Sequence, residues 1–110
     1  MLYWLLGLLT QPVKRPQEQQ RQVDIETSRL ALYYFPFCPY CLKVNRIIRR
    51  LNLNIERRNA SYLPRWYDEL HREGGKAQTP CLKIEHDDRV AWLYESDDII
   101  CYLRQRFSKQ

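Results

Sequence analysis

From residue 39 onward the apolar positions fall at Val44, Ile47, Ile48 and Leu51, with Lys43, Arg46, Arg49 and Arg50 between them. That i, i+3, i+4, i+7 stripe predicts a helix buried along one side. The run before it, residues 29–35, is dense in leucine and aromatics and predicts a buried strand. Residues 53–58 predict a second, short strand. Residues 61–75 predict a second helix, stopped by Gly74 and Gly75. Residues 81–85 and 90–94 alternate as strands about the polar turn 86–89, the pattern of a β-hairpin. Residues 96–107 predict a third helix, with Ser96 as its N-cap, Asp97 and Asp98 at its positive end, and Arg104 and Arg106 at its negative end.

The predicted order is β-α-β-α-β-β-α. Strand, crossover helix and strand pair in parallel, and the hairpin then completes a mixed four-stranded sheet flanked by three helices. This is an α/β, thioredoxin-like arrangement. It occupies residues 29–110, preceded by an apolar arm and a polar linker over residues 1–28. Residues 11–28 hold two prolines and five glutamines, which reads as a linker, or a weak helix beginning at Pro16, and not as a core element. Residues 1–9 are apolar throughout but too short to span a bilayer, which takes about 20 residues. They lack the basic start and small-residue cleavage site of a signal peptide. Two readings stay open for this arm: an interfacial anchor with Tyr3 and Trp4 at the headgroup layer, or a hydrophobic segment docking on protein. If it anchors, Lys14 and Arg15 keep the remainder on the cytoplasmic side.

Composition adds limits. A chain of 110 residues with 45% hydrophobic and 13% aromatic content has room for one domain with a real core and is not a disordered polymer. The net charge of +5 is a modest basic bias. The cations of residues 43–58 lack interleaved aromatics and any nucleic-acid motif, so a solvated helix face is the expectation and nucleic acid is not. The four cysteines, without a secretory signal, suggest redox chemistry or metal rather than a disulfide scaffold.

Cys38-Pro39-Tyr40-Cys41 lies where the first strand hands over to the first helix. With Cys38 as N-cap and Pro39 as first helical residue, the missing proline N–H costs nothing. The Cys38 sulfur then faces unpaired amides and the positive end of the helix dipole, which favour thiolate. Cys41, one turn inside, is close enough to resolve a disulfide. Zinc would want a second Cys/His pair at similar spacing. Cys81, Cys101, His71 and His86 are scattered singly, so no metal site is expected.

The Cys-Pro-Tyr-Cys after a strand, Thr79-Pro80 some 40 residues on before another strand, and the acidic helix start at residues 96–98 resemble a glutaredoxin. The resemblance spans about residues 29–107. It implies a cis Pro80 beside the thiol and a Thr79 backbone that pairs with the cysteinyl main chain of bound glutathione. Residues 92–103 depart from the glutaredoxin pattern: in place of a Gly-Gly turn, Glu95-Ser96 resembles the Glu-Ser element of glutathione transferase N-terminal domains. That likeness implies Ser96 and Asp97 at the γ-glutamyl end of glutathione, with Tyr40 packing against the ligand. No transferase-sized helical domain follows Gln110, so a full transferase is not expected. The lysine that glutaredoxins carry shortly before the motif is replaced by Phe35-Pro36-Phe37, leaving Lys43, Arg72 or Lys76 to meet the glycine carboxylate.

The expectation is a monomeric, cytoplasmic, glutathione-dependent thiol–disulfide oxidoreductase, with Cys38 as nucleophile and glutathione as co-substrate. Its clients would be glutathionylated or disulfide-bonded proteins; on the anchor reading of the arm, it would sit at the inner face of a membrane. The alternative is a glutaredoxin-like module that binds glutathione, or an iron–sulfur cluster shared between subunits, without strong reductase activity. A thioredoxin-type reductase fed by a flavoenzyme is disfavoured by resemblance, since no Trp precedes Cys38 and a Glu-Ser element opens the last helix. Cys81 reads as a small apolar strand residue next to the site. Cys101 is placed on the inward side of the last helix with Ile100, and inert. Trp66, Tyr67 and Trp92 read as packing residues.

Overall fold

The computed structural model describes residues 13–107; the arm at residues 1–9 lies outside them. The elements are α1 (Gln17–Thr27), β1 (Leu30–Tyr34), α2 (Pro39–Arg50), β2 (Glu56–Asn59), α3 (Pro64–Gly74), β3 (Cys81–His86), β4 (Arg89–Leu93) and α4 (Ser96–Phe107). The sheet order is β2-β1-β3-β4. β1 runs parallel to β2, with Ala31 opposite Glu56, and antiparallel to β3, with Leu32 opposite Leu82. β3 and β4 form the expected hairpin, His86 opposite Arg89, with Asp87 at positive φ in a two-residue turn. The fold is thioredoxin-like.

The two faces of the sheet carry separate cores, as the unbroken burial of β1 requires. Leu30, Leu32, Leu82 and Ile84 face Val44, Ile48, Ile99, Leu103 and Phe107 of α2 and α4. On the other face Tyr33 and Cys81 pack with Ala60, Leu70 of α3, Trp66 and Trp92. Arg58 leans over the Trp66 ring at 4.5 Å and pairs with Glu69 at 2.6 Å, closing that side. α3 ends on Gly75 at φ +99°, a left-handed cap that favours glycine. A Cβ on its neighbour Gly74 would collide with the Tyr94 hydroxyl, so the end of α3 sits close under the β4–α4 junction.

Two expectations need correction. Residues 17–27 form the helix, one of the two readings of this stretch, but α1 does contribute to the core: Val23 is 4% exposed within the first cluster, and Thr27 is fully buried. The sequence pattern missed this because one aliphatic residue and one threonine, four apart, suffice for a contact stripe when polar bonds do the rest. Gln20 bonds Asp24 at 2.9 Å along the helix, and Asn54 donates to Asp24 at 2.9 Å from the loop after α2. Glu26 pairs with Arg106 of α4. Arg15 donates to the carbonyls of Phe107 and Asn52, tying the approach to α1 to the ends of α4 and α2. Among the described residues the sheet is therefore flanked by four helices, not three. The second correction concerns Cys101, which is exposed rather than turned inward; Ile100, its neighbour, takes the inward position.

Val23→Ala is expected to lower the unfolding free energy by about 1.5 kcal/mol or more, since two buried carbons are removed. Ile25→Ala, on the exposed side of the same helix, should stay within about 0.5 kcal/mol of wild type. Urea unfolding of both variants checks this; equal, negligible effects would mean that α1 does not pack on the domain.

Candidate functional site

The C-terminal ends of β1 and β2 open on one edge of the sheet, and the turn from β1 into α2 places Cys38 there. Cys38 occupies the N-cap in extended backbone (φ −81°, ψ 120°), its carbonyl takes the first helical bond from Leu42 at 3.0 Å, and Pro39 follows. The thiol is half-buried. Burial alone would raise its pKa, but the Cys41 and Tyr40 backbone, the Cys41 thiol and the Thr79 side chain act on it in the opposite sense, although no full capping bond to the sulfur forms. Together they pull it below the ordinary thiol value.

Cys41 has the opposite character. It is fully buried, and that burial, with the adjoining Cys38 sulfur, raises its pKa; the Phe35 amide, 3.5 Å from its sulfur, and the Thr79 hydroxyl partly offset the rise. One thiol is thus half-buried with a lowered pKa, and the other is sheltered with a raised one. Both are free cysteines, side by side.

The Thr79–Pro80 peptide is cis, as the resemblance implied. The Thr79 side chain acts on both sulfurs, lowering the pKa of each thiol. Sequence reasoning assigned only its backbone a role, since nothing in one sequence shows a threonine forty residues away reaching two cysteines. Beside the thiols lies a cavity of about 330 Å³ lined by Tyr40, Thr79, Pro80, Ser96 and Asp97, together with Gln78, Tyr94 and Glu95. All five residues singled out beside the cysteines therefore meet around one opening. The other three were missed, although Gln78 and Glu95 directly precede residues that were chosen.

Ser96 is buried at the first helical position rather than at the N-cap: Ile99 N–H bonds to the Glu95 carbonyl at 2.9 Å, so Glu95 takes the cap position. The amides of the first turn of α4 are then available toward the cavity. Of the cations proposed for a ligand carboxylate, Lys43 pairs with Asp97 at 2.6 Å across an exposed gap, worth little in stability. Lys76 lies over the Tyr94 ring at 4.8 Å, next to the cavity. Arg72 lines a separate cavity with Asp68 and Glu73. Cys81 is fully buried, and burial pushes its thiol up to about 12 despite the Tyr94 hydroxyl bonded to it, in keeping with a packing role. Trp66 and Trp92 pack as expected, whereas Tyr67 is 45% exposed and stacks on His71. Among the described residues no group of three or more His, Cys, Asp or Glu side chains converges as a metal site, and no helix is long and apolar enough to cross a membrane.

Comparison with known proteins agrees with this geometry. The family described as "Glutathione S-transferase, N-terminal domain" matches residues 32–110. No curated protein matches. Among solved structures, a maleylacetoacetate isomerase from Anaeromyxobacter dehalogenans, determined with glutathione in its active site, superposes with a TM-score of 0.57 at 23% identity, over 73% of this chain and 38% of that one. Glutathione transferase Omega 1C from Trametes versicolor gives 0.56 at 16% identity, over 74% and 38%. A glutaredoxin from Archaeoglobus fulgidus gives 0.51 at 14% identity, over 88% and 98%. The chain thus spans well under half the length of the isomerase and the transferase, and nearly all of the glutaredoxin. At these identities the likeness shows the fold.

Alkylation by iodoacetamide should be fastest at Cys38, with a pH midpoint below the ordinary thiol range, while Cys81 stays unmodified in the native protein at pH 8. Thr79→Val removes a donor from the Cys38 thiolate, so its midpoint should move up. Mass spectrometry of the modified peptides reads both effects; an unchanged midpoint in Thr79→Val would show that the hydroxyl does not act on the sulfur.

Proposed function

The chain belongs to the glutathione S-transferase N-terminal-domain family, and on that footing we propose that it is a glutathione-dependent thiol–disulfide oxidoreductase of glutaredoxin type. The observation that carries this reading is the opposed character of the two thiols. Cys38 is reachable and its thiol is acidified by helix amides, while Cys41 is buried, protonated and in contact with it. A transferase that only activates glutathione needs no second cysteine bonded to the first.

In the proposed reaction the Cys38 thiolate attacks the glutathione sulfur of a protein–glutathione mixed disulfide. A Cys38–glutathione disulfide forms, and the client leaves as a thiolate that takes a proton from water. Release then follows one of two routes. A glutathione thiolate attacks the bound glutathionyl sulfur, giving glutathione disulfide and regenerating the Cys38 thiolate. Alternatively Cys41, on losing its proton, attacks the Cys38 sulfur, expels glutathione and leaves a Cys38–Cys41 disulfide that two further glutathione molecules reduce. The elevated Cys41 pKa favours the first route near neutral pH, because the thiol is a poor nucleophile while protonated.

Glutathione is assigned to the cavity beside Cys38. Its cysteinyl main chain would pair with the Thr79 backbone. Its γ-glutamyl end would meet Ser96, the first-turn amides of α4 and Asp97, with the Glu95 carboxylate also within the lining. Tyr40, 63% exposed at the rim, would pack over the ligand. The isomerase relative holds glutathione in its active site, which supports the same ligand here. Lys76 is the cation best placed for the glycine carboxylate, since it stands against Tyr94 on the cavity wall.

Glutathione-dependent reduction of a small glutathione mixed disulfide should be abolished in Cys38→Ser and retained in Cys41→Ser. Loss of activity in both variants would assign turnover to the dithiol route. An inactive wild-type protein at every glutathione concentration would overturn the enzyme reading in favour of a binding module. For the ligand site, Ser96→Ala with Asp97→Asn should raise KM for glutathione several-fold while leaving the alkylation rate of Cys38 nearly unchanged; an unchanged KM would move glutathione elsewhere.

A further inference from the structure

A second cavity, larger than the one beside Cys38, lies between α2 and α4. It is a groove of about 620 Å³ whose lining includes Lys43, Arg46, Ile47, Arg50, Asp97 and Ile100. Lys43 and Asp97 pair with each other at 2.6 Å, so their charges are matched. Arg104 lines the groove as well but already has an interaction of its own. Arg46 and Arg50 are different: both are exposed, one turn apart on α2, and neither takes part in the ion pairs among the described residues. Two such guanidinium groups suit carboxylates, which they grip with paired N–H donors.

The groove continues from the cavity beside Cys38. Asp97 lines both. Tyr40, in the lining of that cavity, stands three residues before Lys43, and Lys43, Arg46, Ile47 and Arg50 extend the same stripe of α2 at helical spacing. A molecule whose sulfur meets Cys38 therefore has an unbroken path over both arginines. Distance decides which molecule can follow it. At 1.5 Å per residue, Arg46 and Arg50 stand about 12 and about 18 Å beyond Cys38 along the helix. Glutathione is a tripeptide with its sulfur on the central residue, so its ends reach roughly 10 Å at most from that residue. The client polypeptide on the other side of the mixed disulfide is long enough: extended, it covers these distances in about four and about six residues. Residues spaced by two also point to the same side of an extended chain.

We propose that the α2–α4 groove is a client subsite: an extended stretch of the glutathionylated protein lies along α2, with acidic side chains about four and about six positions from the modified cysteine set against Arg46 and Arg50. This rests on the redox reading of Cys38 and adds a preference among clients to it. Every such client presents the same glutathionyl sulfur, so the flanking sequence is what the groove can discriminate. Acidic flanks meet the two guanidinium groups, and lysine-bearing flanks are repelled by them.

The test uses fluorescein-labelled, glutathionylated peptides with a single cysteine and, about four and about six positions to either side of it, glutamate, glutamine or lysine. Anisotropy reads their binding to the full chain carrying Cys38→Ser, which cannot exchange with them. The glutamate peptide should bind several-fold tighter than the glutamine peptide and the lysine peptide weakest, and the differences should shrink as added salt screens the charges. Adding Arg46→Gln with Arg50→Gln should level the three affinities, and Arg46→Glu with Arg50→Glu should reverse their order. Circular dichroism confirms folding, and the glutamine pair serves if the reversed pair does not fold. Affinities that ignore the peptide charge, or follow it equally in the arginine variants, would overturn the proposal. Turnover of a small glutathione mixed disulfide, with Cys38 intact, should be the same with and without the arginine changes. A loss there as large as the loss in glutamate-peptide binding would assign the arginines to glutathione and overturn the proposal too. Binding is read without turnover, so an inactive wild type strikes the redox reading while the peptide affinities still decide the groove.

Discussion

A helix that begins abruptly at the edge of a sheet leaves its first amides without carbonyl partners, and those amides must be met by something. In this chain the group placed before them is the sulfur of Cys38, which lies at the N-cap without a full capping bond and has its acidity raised by the nearby backbone. Pro39 gives up an N–H that would have been unpaired, fixes the first helical φ, and leaves the Tyr40 and Cys41 amides turned to the sulfur. The acidity of the thiol is thus a consequence of its place at the helix start. It depends on α2 being held rigidly, which the burial of Val44, Ile47 and Ile48 against the sheet achieves. Any change that loosened the first turn of α2 would also release the thiol's stabilisation.

The two cores divide the labour around that helix end. The face covered by α1, α2 and α4 fixes where α2 starts and where the first turn of α4 points. The smaller face, with Tyr33, Leu70, Trp66 and Trp92, carries β3 and the Thr79–Pro80 approach to it. The site lies where the products of the two faces meet. Thr79 arrives from before β3, Ser96 and Asp97 from α4, and the cysteines from α2, and they share one cavity mouth. The α1 helix and Arg15 reinforce the far end of the α2–α4 pair, away from the thiols, so the reactive end is left accessible.

Most of the architecture was legible because its elements are strongly patterned. The α2 stripe, the turn at residues 86–89 and the glycines after α3 each have a local physical cause. A helix from Pro16 is one of the two readings of the sequence there, but the core role of α1 escaped because polar bonds to Asn54 and Arg106, which no local pattern reveals, do much of its docking. Cys101 was misplaced because adjacent residues on a helix point about 100° apart, and Ile100 had already taken the inward position. Ser96 was placed one residue early, since which residue caps a helix depends on where the backbone turns out of the strand before it.

By itself the sequence determined the order of elements, the junction that acidifies Cys38, and the residue types at the site, because helix periodicity, turn chemistry and the Cys-Pro-Tyr-Cys spacing act over a few residues. Tertiary structure decided what depends on distance through space rather than along the chain. It decided that the Thr79 side chain acts on both sulfurs, that Cys41 and Cys81 are buried with raised pKa values while Cys101 is exposed, and that Lys43 is engaged by Asp97. It also set the entry of the chain at Arg50, beside a groove whose cations come from two helices more than forty residues apart. Burial and charge proximity are properties of the packed chain, and no local pattern encodes them.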